Sequence, residues 1–478
     1  MLTPEGDFDA RSRAALATPA LGRAVRGTVD RLRNLRAIAE ADADLTRQRR
    51  AAATEARTRA IDKLPELLER FTRNCEARGG VVHRAPDAAS ATAIATSLLR
   101  KSGARRVVKG KSMVTEEIEL NAALEGAGIE VTETDLGEWI IQLAGEKPSH
   151  IILPAIHKTR HDIRALFEKE GGTPLDASTT TLCAHARRRL RERFLAADAG
   201  ISGANFAVAE TGSIALFTNE GNGRLVTSLP RLHLVFLGME RLVENFADLA
   251  AMAEVLPRAA TGQDLTSYFS IITGPRHRGE LDGPEALHVI ILDNGRSRLL
   301  EDVAFRPVLR CIRCAACLNV CPVYAEIGGH AYGGTYPGPI GAVLTPVLRP
   351  EEHAARELAD ASSLCAACSE ACPVGIPLDE LLILQRARNA TLRPKRALRL
   401  ALRIALSGLM GDKAHGTSRR LRFVAKVLGA GTPQRRALAK VLPMLARSEA
   451  VRALPVIPPQ SFRELWKALQ AGENTRAR

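Results

Sequence analysis

The sequence predicts an α/β domain with a largely parallel sheet, joined to a compact cysteine-bearing segment and framed by helical segments at both ends. Three observations predict it. Short β-branched apolar runs alternate with helix-length stretches from about residue 78 to 300, seven cysteines crowd into residues 311–372, and both ends are rich in Ala, Leu and Arg. Buried parallel strands read as continuous apolar runs, and alternation with helices argues for βαβ units.

The chain of 478 residues suggests two to four domains. Aromatics make up only 4%, so the core must be built mainly from Ala, Leu, Val and Ile. No apolar run approaches the roughly 18–20 residues that span a bilayer. The opening MLTPEGDFDARSR has acids where a secretory leader needs a basic start and an apolar stretch, so a cytoplasmic location is expected.

Taken in order, residues 1–74 form a helical lead-in. LTRQRRAAATEARTRAIDKLPELLERF carries Leu64, Leu67, Leu68 and Phe71 on one side of an amphipathic helix. Residues 75–300 form the α/β domain. Its expected strands are VVH (81–83), RVVK (106–109), IEVTETD (129–135), HIILPAI (150–156), NFAVAE (205–210), SIALFT (213–218), LHLVFLG (232–238) and ALHVIILD (286–293). Helices are expected at 115–127, 159–170 and 241–255, and Thr211-Gly212 reads as the turn of a hairpin within the sheet. Residues 301–390 carry the cysteines, with an irregular stretch around Pro337, Pro339, Pro346 and Pro350. Residues 391–478 form a basic helical tail.

All of the charge excess sits in that tail. It holds 19 Lys and Arg against 4 Asp and Glu, whereas the whole chain carries a net +14. Such asymmetry suits an acidic protein surface or transient attachment to a membrane surface, the alternative being a solvated helical face. Nucleic acid is disfavoured, because the tail offers only Phe423, Phe462 and one Trp for stacking on bases.

Nine cysteines make an odd number for a disulfide framework. Cys75 and Cys183 stand alone and read as small buried hydrophobes. The other seven lie in CIRCAACLNVCPVY (311–324) and LCAACSEACPV (364–374). Cys311, Cys314, Cys317 and Cys321 follow the C-x2-C-x2-C-x3-C-P pattern, in which three cysteines bind one cubane and the fourth reaches a second. Exchange of ligands then assigns Cys311, Cys314, Cys317 and Cys372 to one [4Fe-4S] cluster, and Cys321, Cys365 and Cys368 to the other. Structural zinc is the competing reading, but it needs four ligands per site and no Cys-Pro steps. The second motif has Ser362 where a first cysteine would stand. Four readings compete there: a serine ligand, a [3Fe-4S] cluster, a residue such as His330 or Cys183 from elsewhere, or an iron left open.

Within the α/β domain, Lys109 and Lys111, with Thr115 as helix N-cap, suggest an anion site, against an ordinary strand-to-helix turn. Glu210, Thr211, Asn222 and Arg224 suggest a crevice at strand ends. Glu133, Asp135 and Glu138 form an acid cluster suited to catalysis or to capping a helix near Gly137. His150, His157, His161 and His185 lack an H-E-x-x-H pattern and read as core or solvated residues. Neither a GxGxxG nor a GxxxxGK[ST] loop is present.

KGKSMVTEEIELN, ETDLGEWIIQLAGEKPSHIILPAIHK, AETGSIALFTNEGNGR and the two cysteine motifs together resemble the lactate utilization protein B family. The resemblance implies a LUD domain over 75–300, similar to the sugar-phosphate isomerase and CoA-transferase α/β group. It also implies a ferredoxin-like segment with two [4Fe-4S] clusters, held by the seven cysteines just assigned, and a family-specific helical C-terminal domain. Family members share the three-cysteine second motif. The implied role is electron transport during oxidation of L-lactate to pyruvate, alongside a cysteine-rich subunit and a small LUD-domain subunit. No catalytic residue is transferred. The competing function is a LUD-domain ligand-binding or isomerase-like enzyme whose clusters are structural or redox-sensing.

Overall fold

The computed structural model describes residues 7–392 together with Trp466 and Leu469. Apart from residues 391, 392, 466 and 469, the expected basic tail domain therefore lies outside the described residues, and the described residues up to Asn389 form one compact unit.

Four helices open the described chain: α1 (Phe8–Leu16), α2 (Pro19–Ala39), α3 (Ala43–Asp62) and α4 (Leu64–Glu76). The single long helix expected across residues 45–71 is interrupted at Lys63, just before Pro65, because proline tolerates only the first turn of a helix. α2 buries Val25, Val29, Leu32 and Arg36, and α3 buries Ala53, Ala56, Arg57, Ala60 and Ile61. These spacings describe one stripe per helix, and each stripe includes an arginine.

The α/β domain contains ten strands, β1 (Val81–Ala85), β2 (Arg106–Lys109), β3 (Glu130–Glu133), β4 (Ala199–Gly203), β5 (Phe206–Val208), β6 (Ser213–Thr218), β7 (Leu232–Gly238), β8 (Leu242–Val243), β9 (Tyr268–Ile272) and β10 (Ala286–Leu292). Six of them form a wholly parallel sheet in the order β1-β10-β7-β4-β2-β3. Alternation along β7 shows why both faces are covered. Leu234 and Phe236 pack with the helices Ala88–Lys101 and Leu120–Gly126, while Val235 and Leu237 pack with Leu64, Leu67 and Phe71 of α4.

Several expectations need correction. HIILPAI is not a strand; it forms bends and turns around Pro154. AGISG (199–203) is one, at the centre of the sheet. A Cβ on Gly200 would sit 2.1 Å from the Val226 carbonyl oxygen, so the close approach demands glycine. The hairpin β5–β6 exists but belongs to a second, four-stranded sheet ordered β8-β5-β6-β9. The helix expected at 115–127 is two helices, Met113–Glu117 and Leu120–Gly126, parted by left-handed Glu119. The prolines between the cysteine motifs do not preclude a buried helix, Gly338–Leu348.

One apolar core joins α2, α3, the helix Phe246–Thr261, the second sheet and the cysteine segment. Val25, Ala56, Phe206, Met252, Ile312, Leu318 and Val343 all belong to it. The helical lead-in therefore packs directly on the cysteine loops.

Candidate metal centre

The two cysteine motifs share their spacing at an offset of 51 positions, and the loops they form share local geometry as far as Cys321 and Cys372. In the first, Arg313 and Ala315 flank Cys314 with φ of 61° and 62°; in the second, Leu364 and Ala366 flank Cys365 with φ of 56° and 63°. Non-glycine residues seldom adopt such angles, and two alternating pairs at matching places mark a constrained loop. Each loop runs into a four-residue helix, Ala316–Asn319 or Ala367–Glu370, and then a Cys-Pro step.

The loops gather the thiols into two sets. Burial, reinforced by neighbouring Cys372 and Cys311, pushes the Cys314 thiol up to about 12. Cys317 is raised well above its usual value by burial and by Cys311, Cys314 and Cys372. Burial and Cys321 push Cys368 up to about 11, and burial and Cys365 raise Cys321. None of the nine cysteines is in a disulfide. Five of the seven are buried, Cys372 is half-buried and Cys365 is exposed.

These sites fit thiolate-bound iron–sulfur clusters. Backbone amides already donate to sulfur, from Arg313 to Cys311 at 3.4 Å, from Tyr324 to Cys321 at 3.5 Å and from Ile376 to Cys372 at 3.4 Å. The Tyr332 hydroxyl is buried against the Cys321 thiol with no other hydrogen-bond partner among the described residues, and Arg313, whose charge interacts with Cys311, has its Nη1 buried with no hydrogen-bond partner among them. Buried polar atoms of this kind call for an acceptor.

Arginines fasten the loops. Arg57 of α3, fully buried, donates to the carbonyls of Arg310, Leu309, Leu242 and Glu240. Burial lowers its pKa to about 9. Arg241, just after β7, donates to the Cys311 and Ile312 carbonyls at 2.9 and 3.3 Å. Arg36 of α2 reaches the Ala371 carbonyl at 2.7 Å, and Arg310 that of Gly375 at 2.7 Å. One buried carboxylate, Glu240, anchors the network through Arg296 (2.6 Å) and Arg313 (3.3 Å). Burial alone would raise Glu240, but Arg296, Arg313 and Arg241 outweigh it and hold the carboxyl at about 2. Arg296 also pairs with Glu117 at 2.8 Å, and Glu117 accepts from Tyr336 at 2.7 Å. The cysteine segment thus sits against residues that follow β2, β7 and β10 at the C-terminal edge of the parallel sheet.

The HIILPAI segment is part of this seating. His150 Nδ1 accepts from the amides of Ile152 and Leu153, so Nε2 carries the proton and donates to Asn319 Oδ1 at 3.0 Å. Tyr324 donates to the Ser149 carbonyl at 2.7 Å. His330 is engaged with the Lys147 carbonyl at 2.6 Å, and Cys183 lies on the helix Thr179–Leu195 of the α/β domain.

The remaining sequence candidates disperse. Lys109 and Glu133 end neighbouring strands in register and pair at 2.6 Å, with Glu116 at 3.2 Å; Lys111 pairs with Glu138 at 2.7 Å. Both lysines are therefore neutralised internally rather than held ready for an anion. Burial, with Glu116 and Glu138 nearby, lifts Glu133 to about 7. The N-cap is Ser112 rather than Thr115, and Asp135 caps the helix Leu136–Ala144. Glu210 and Thr211 lie at one end of β6, Asn222 and Arg224 beyond the other, so they line no common crevice. His185 is buried with Glu170, and His161 is exposed in the helix Arg160–Gly171. His157 precedes that helix, sharing Glu146 with Lys158. Cys75 is core, its thiol pushed up to about 11 by burial and Glu76.

The arginine brackets are what sequence reasoning missed. A signal existed for Arg57, which falls on the alanine stripe of α3 where a solvated side chain has no place.

A parallel α/β domain bearing paired cysteine loops at its C-terminal edge defines an iron–sulfur protein built on a LUD domain. Residues 68–292 match the LUD domain and residues 307–376 the 4Fe-4S dicluster domain. The chain is 50% identical over 364 residues to lactate utilization protein B of Bacillus velezensis, covering 76% of each chain. It is 52% identical over 338 residues to that of Oceanobacillus iheyensis, covering 70% of each, and 48% identical over 364 residues to that of Bacillus subtilis, covering 76% of each. The chain belongs to the lactate utilization protein B family.

Proposed function

We propose that this chain is the iron–sulfur electron-transfer component of a multi-protein system that oxidises L-lactate to pyruvate. The observation that carries this reading is the gathering of seven thiols into two adjacent sets on loops packed against the LUD sheet. The relatives' name supplies the metabolic setting. Cys311, Cys314, Cys317 and Cys372 hold one [4Fe-4S] cluster; Cys321, Cys365 and Cys368 hold the other.

Bound there, each cluster supplies a one-electron redox centre whose potential follows its hydrogen bonds, charge and exposure. The chain's own residues tune those terms. Burial of Cys314 and Cys317 keeps water from the first set. The amides of Arg313, Tyr324 and Ile376 donate to sulfur, and Arg241, Arg310 and Arg313 set positive charge beside the first set, favouring the more negative reduced state. Exposed Cys365 gives the second set a rim from which electrons reach a partner.

The partners in this reading are a cysteine-rich subunit and a small LUD-domain subunit, in the cytoplasm, with the basic tail as docking element. Among the described residues no helix is long and apolar enough to cross a membrane. A second reading, a LUD-domain enzyme with structural clusters, draws on the buried Lys109–Glu133–Glu116 group at the strand ends.

The test mixes the reconstituted chain anaerobically with its companion proteins and L-lactate and follows its visible absorbance. Bleaching that requires all the proteins and lactate supports the relay. Lactate oxidation at full rate with the clusters unbleached, or with Cys314→Ala protein, favours the enzyme reading.

A further inference from the structure

We propose that Ser362 Oγ is the fourth protein ligand of the second cluster, an oxygen corner in an otherwise thiolate set. The proposal rests on the two-cluster reading above and deepens it.

The two motifs match in the backbone hydrogen bonds that close each loop and in its left-handed residues. Leu318 and Asn319 amides donate to the Ala315 carbonyl at 2.9 and 3.1 Å; Ser369 and Glu370 amides donate to the Ala366 carbonyl at 2.9 and 3.1 Å. Cys321 N donates to Leu318 O at 3.1 Å, and Cys372 N to Ser369 O at 3.1 Å. The left-handed residues fall at the same places in both. By this correspondence Ser362 occupies the place of Cys311.

Side-chain orientation follows. The Arg313 amide donates to Cys311 Sγ at 3.4 Å, and its counterpart, the Leu364 amide, donates to Ser362 Oγ at 3.1 Å. The hydroxyl oxygen takes the same backbone donor, two residues on, that the thiol sulfur takes in the first loop. Arg386 fixes the backbone on which it stands, donating to the carbonyls of Ala359 and Ser362 at 2.9 Å each. The other candidates are engaged elsewhere, His330 with Lys147 and Cys183 on the helix Thr179–Leu195.

Ligation forms one Fe–O bond and releases the hydroxyl proton to water, which the exposed neighbours Ser363 and Cys365 admit to this corner. No electron moves in that step. An oxygen is a harder ligand than a thiolate, so this iron is the exchangeable one of its cubane.

The experiment compares wild-type, Ser362→Cys and Ser362→Ala chains, full length and reconstituted anaerobically, by iron analysis and by EPR of oxidised and dithionite-reduced protein. The expected results are about eight irons in wild type and in Ser362→Cys, with the second cluster's reduced signal altered in Ser362→Cys and the first cluster's unchanged. Ser362→Ala is expected to fall to about seven irons and show an oxidised three-iron signal. Ser362→Ala with about eight irons and unaltered spectra overturns the proposal, as does Ser362→Cys indistinguishable from wild type. Wild type with about seven irons overturns it while sparing the two-cluster reading, and zinc or no iron overturns both.

Discussion

Arg313, between the first two cysteines, places Nη2 3.3 Å from Glu240 Oε1, and Glu240 is the buried carboxylate immediately beyond β7. Through this pair the first cysteine loop is tied to the edge of the LUD sheet. Arg296 completes the link, bonding Glu240 on one side and Glu117 on the other.

Neutralising Glu240 leaves buried Arg313 and Arg241 short of a counter-charge and Arg296 with Glu117 alone. Breaking a buried ion pair on one side costs about 3–5 kcal/mol. Glu240→Gln is therefore expected to lower the unfolding free energy read from urea titration by an amount in that range, seen as a lowered midpoint, and to lose iron from the first cluster before the second. An unchanged midpoint contradicts the network's role.

Arg57 satisfies four carbonyls, three in buried bonds and one in a partly buried bond, from a single side chain. Lysine cannot reach that many, and each abandoned acceptor costs about 1–3 kcal/mol. Arg57→Lys should lower stability by at least about 1 kcal/mol in urea unfolding and reduce iron retained after reconstitution. Wild-type stability with full iron would show that the clamp is dispensable.

Glu133 gives a pH dependence whose sign is fixed. Its folded value, about 7, stands above its ordinary 4.5, so the native chain holds a proton there that the unfolded chain has lost. Its contribution to stability is full below pH 4.5 and falls away as pH rises to about 7. His150 and His157, lowered by burial to about 4, act with the opposite sign. The discriminating quantity is thus the difference between wild type and Glu133→Gln. The variant should gain urea resistance relative to wild type from pH 5 to pH 8; a constant difference would contradict the assignment.

Gly200→Ala should cost about 3 kcal/mol, since overpacking typically costs 1–3 and here the new methyl meets backbone. The check is thermal unfolding of the variant; a neutral result would mean that β4 is not where the sheet places it.

Deleting residues 393–478 should leave both clusters in place, because all seven cysteines and the arginines that bracket them lie before residue 390. If the tail docks an acidic partner, pull-down of the companion proteins at low salt is lost with it, while high salt weakens the full-length association as well. Unchanged association at low salt would remove the tail from that role.

Much of the architecture was legible in the sequence because burial on both faces writes itself as β-branched runs, as in LHLVFLG and ALHVIILD. It failed where another force set the conformation. β4 contains two glycines because Val226 and Ser112 crowd its backbone, and HIILPAI is apolar because it packs beneath the cysteine loops without pairing as a strand. The cysteines announced themselves by spacing. The arginine clamps did not, since each joins residues about 70 to 330 positions apart, and no local pattern records such a contact.

The most direct measurement of the central claim is iron and sulfide analysis of anaerobically reconstituted protein, read with EPR of the dithionite-reduced state. The two-cluster account predicts about eight irons per chain and two reduced signals broadened by mutual spin coupling. Stoichiometric zinc, or a single isolated cluster signal at about four irons, would contradict it.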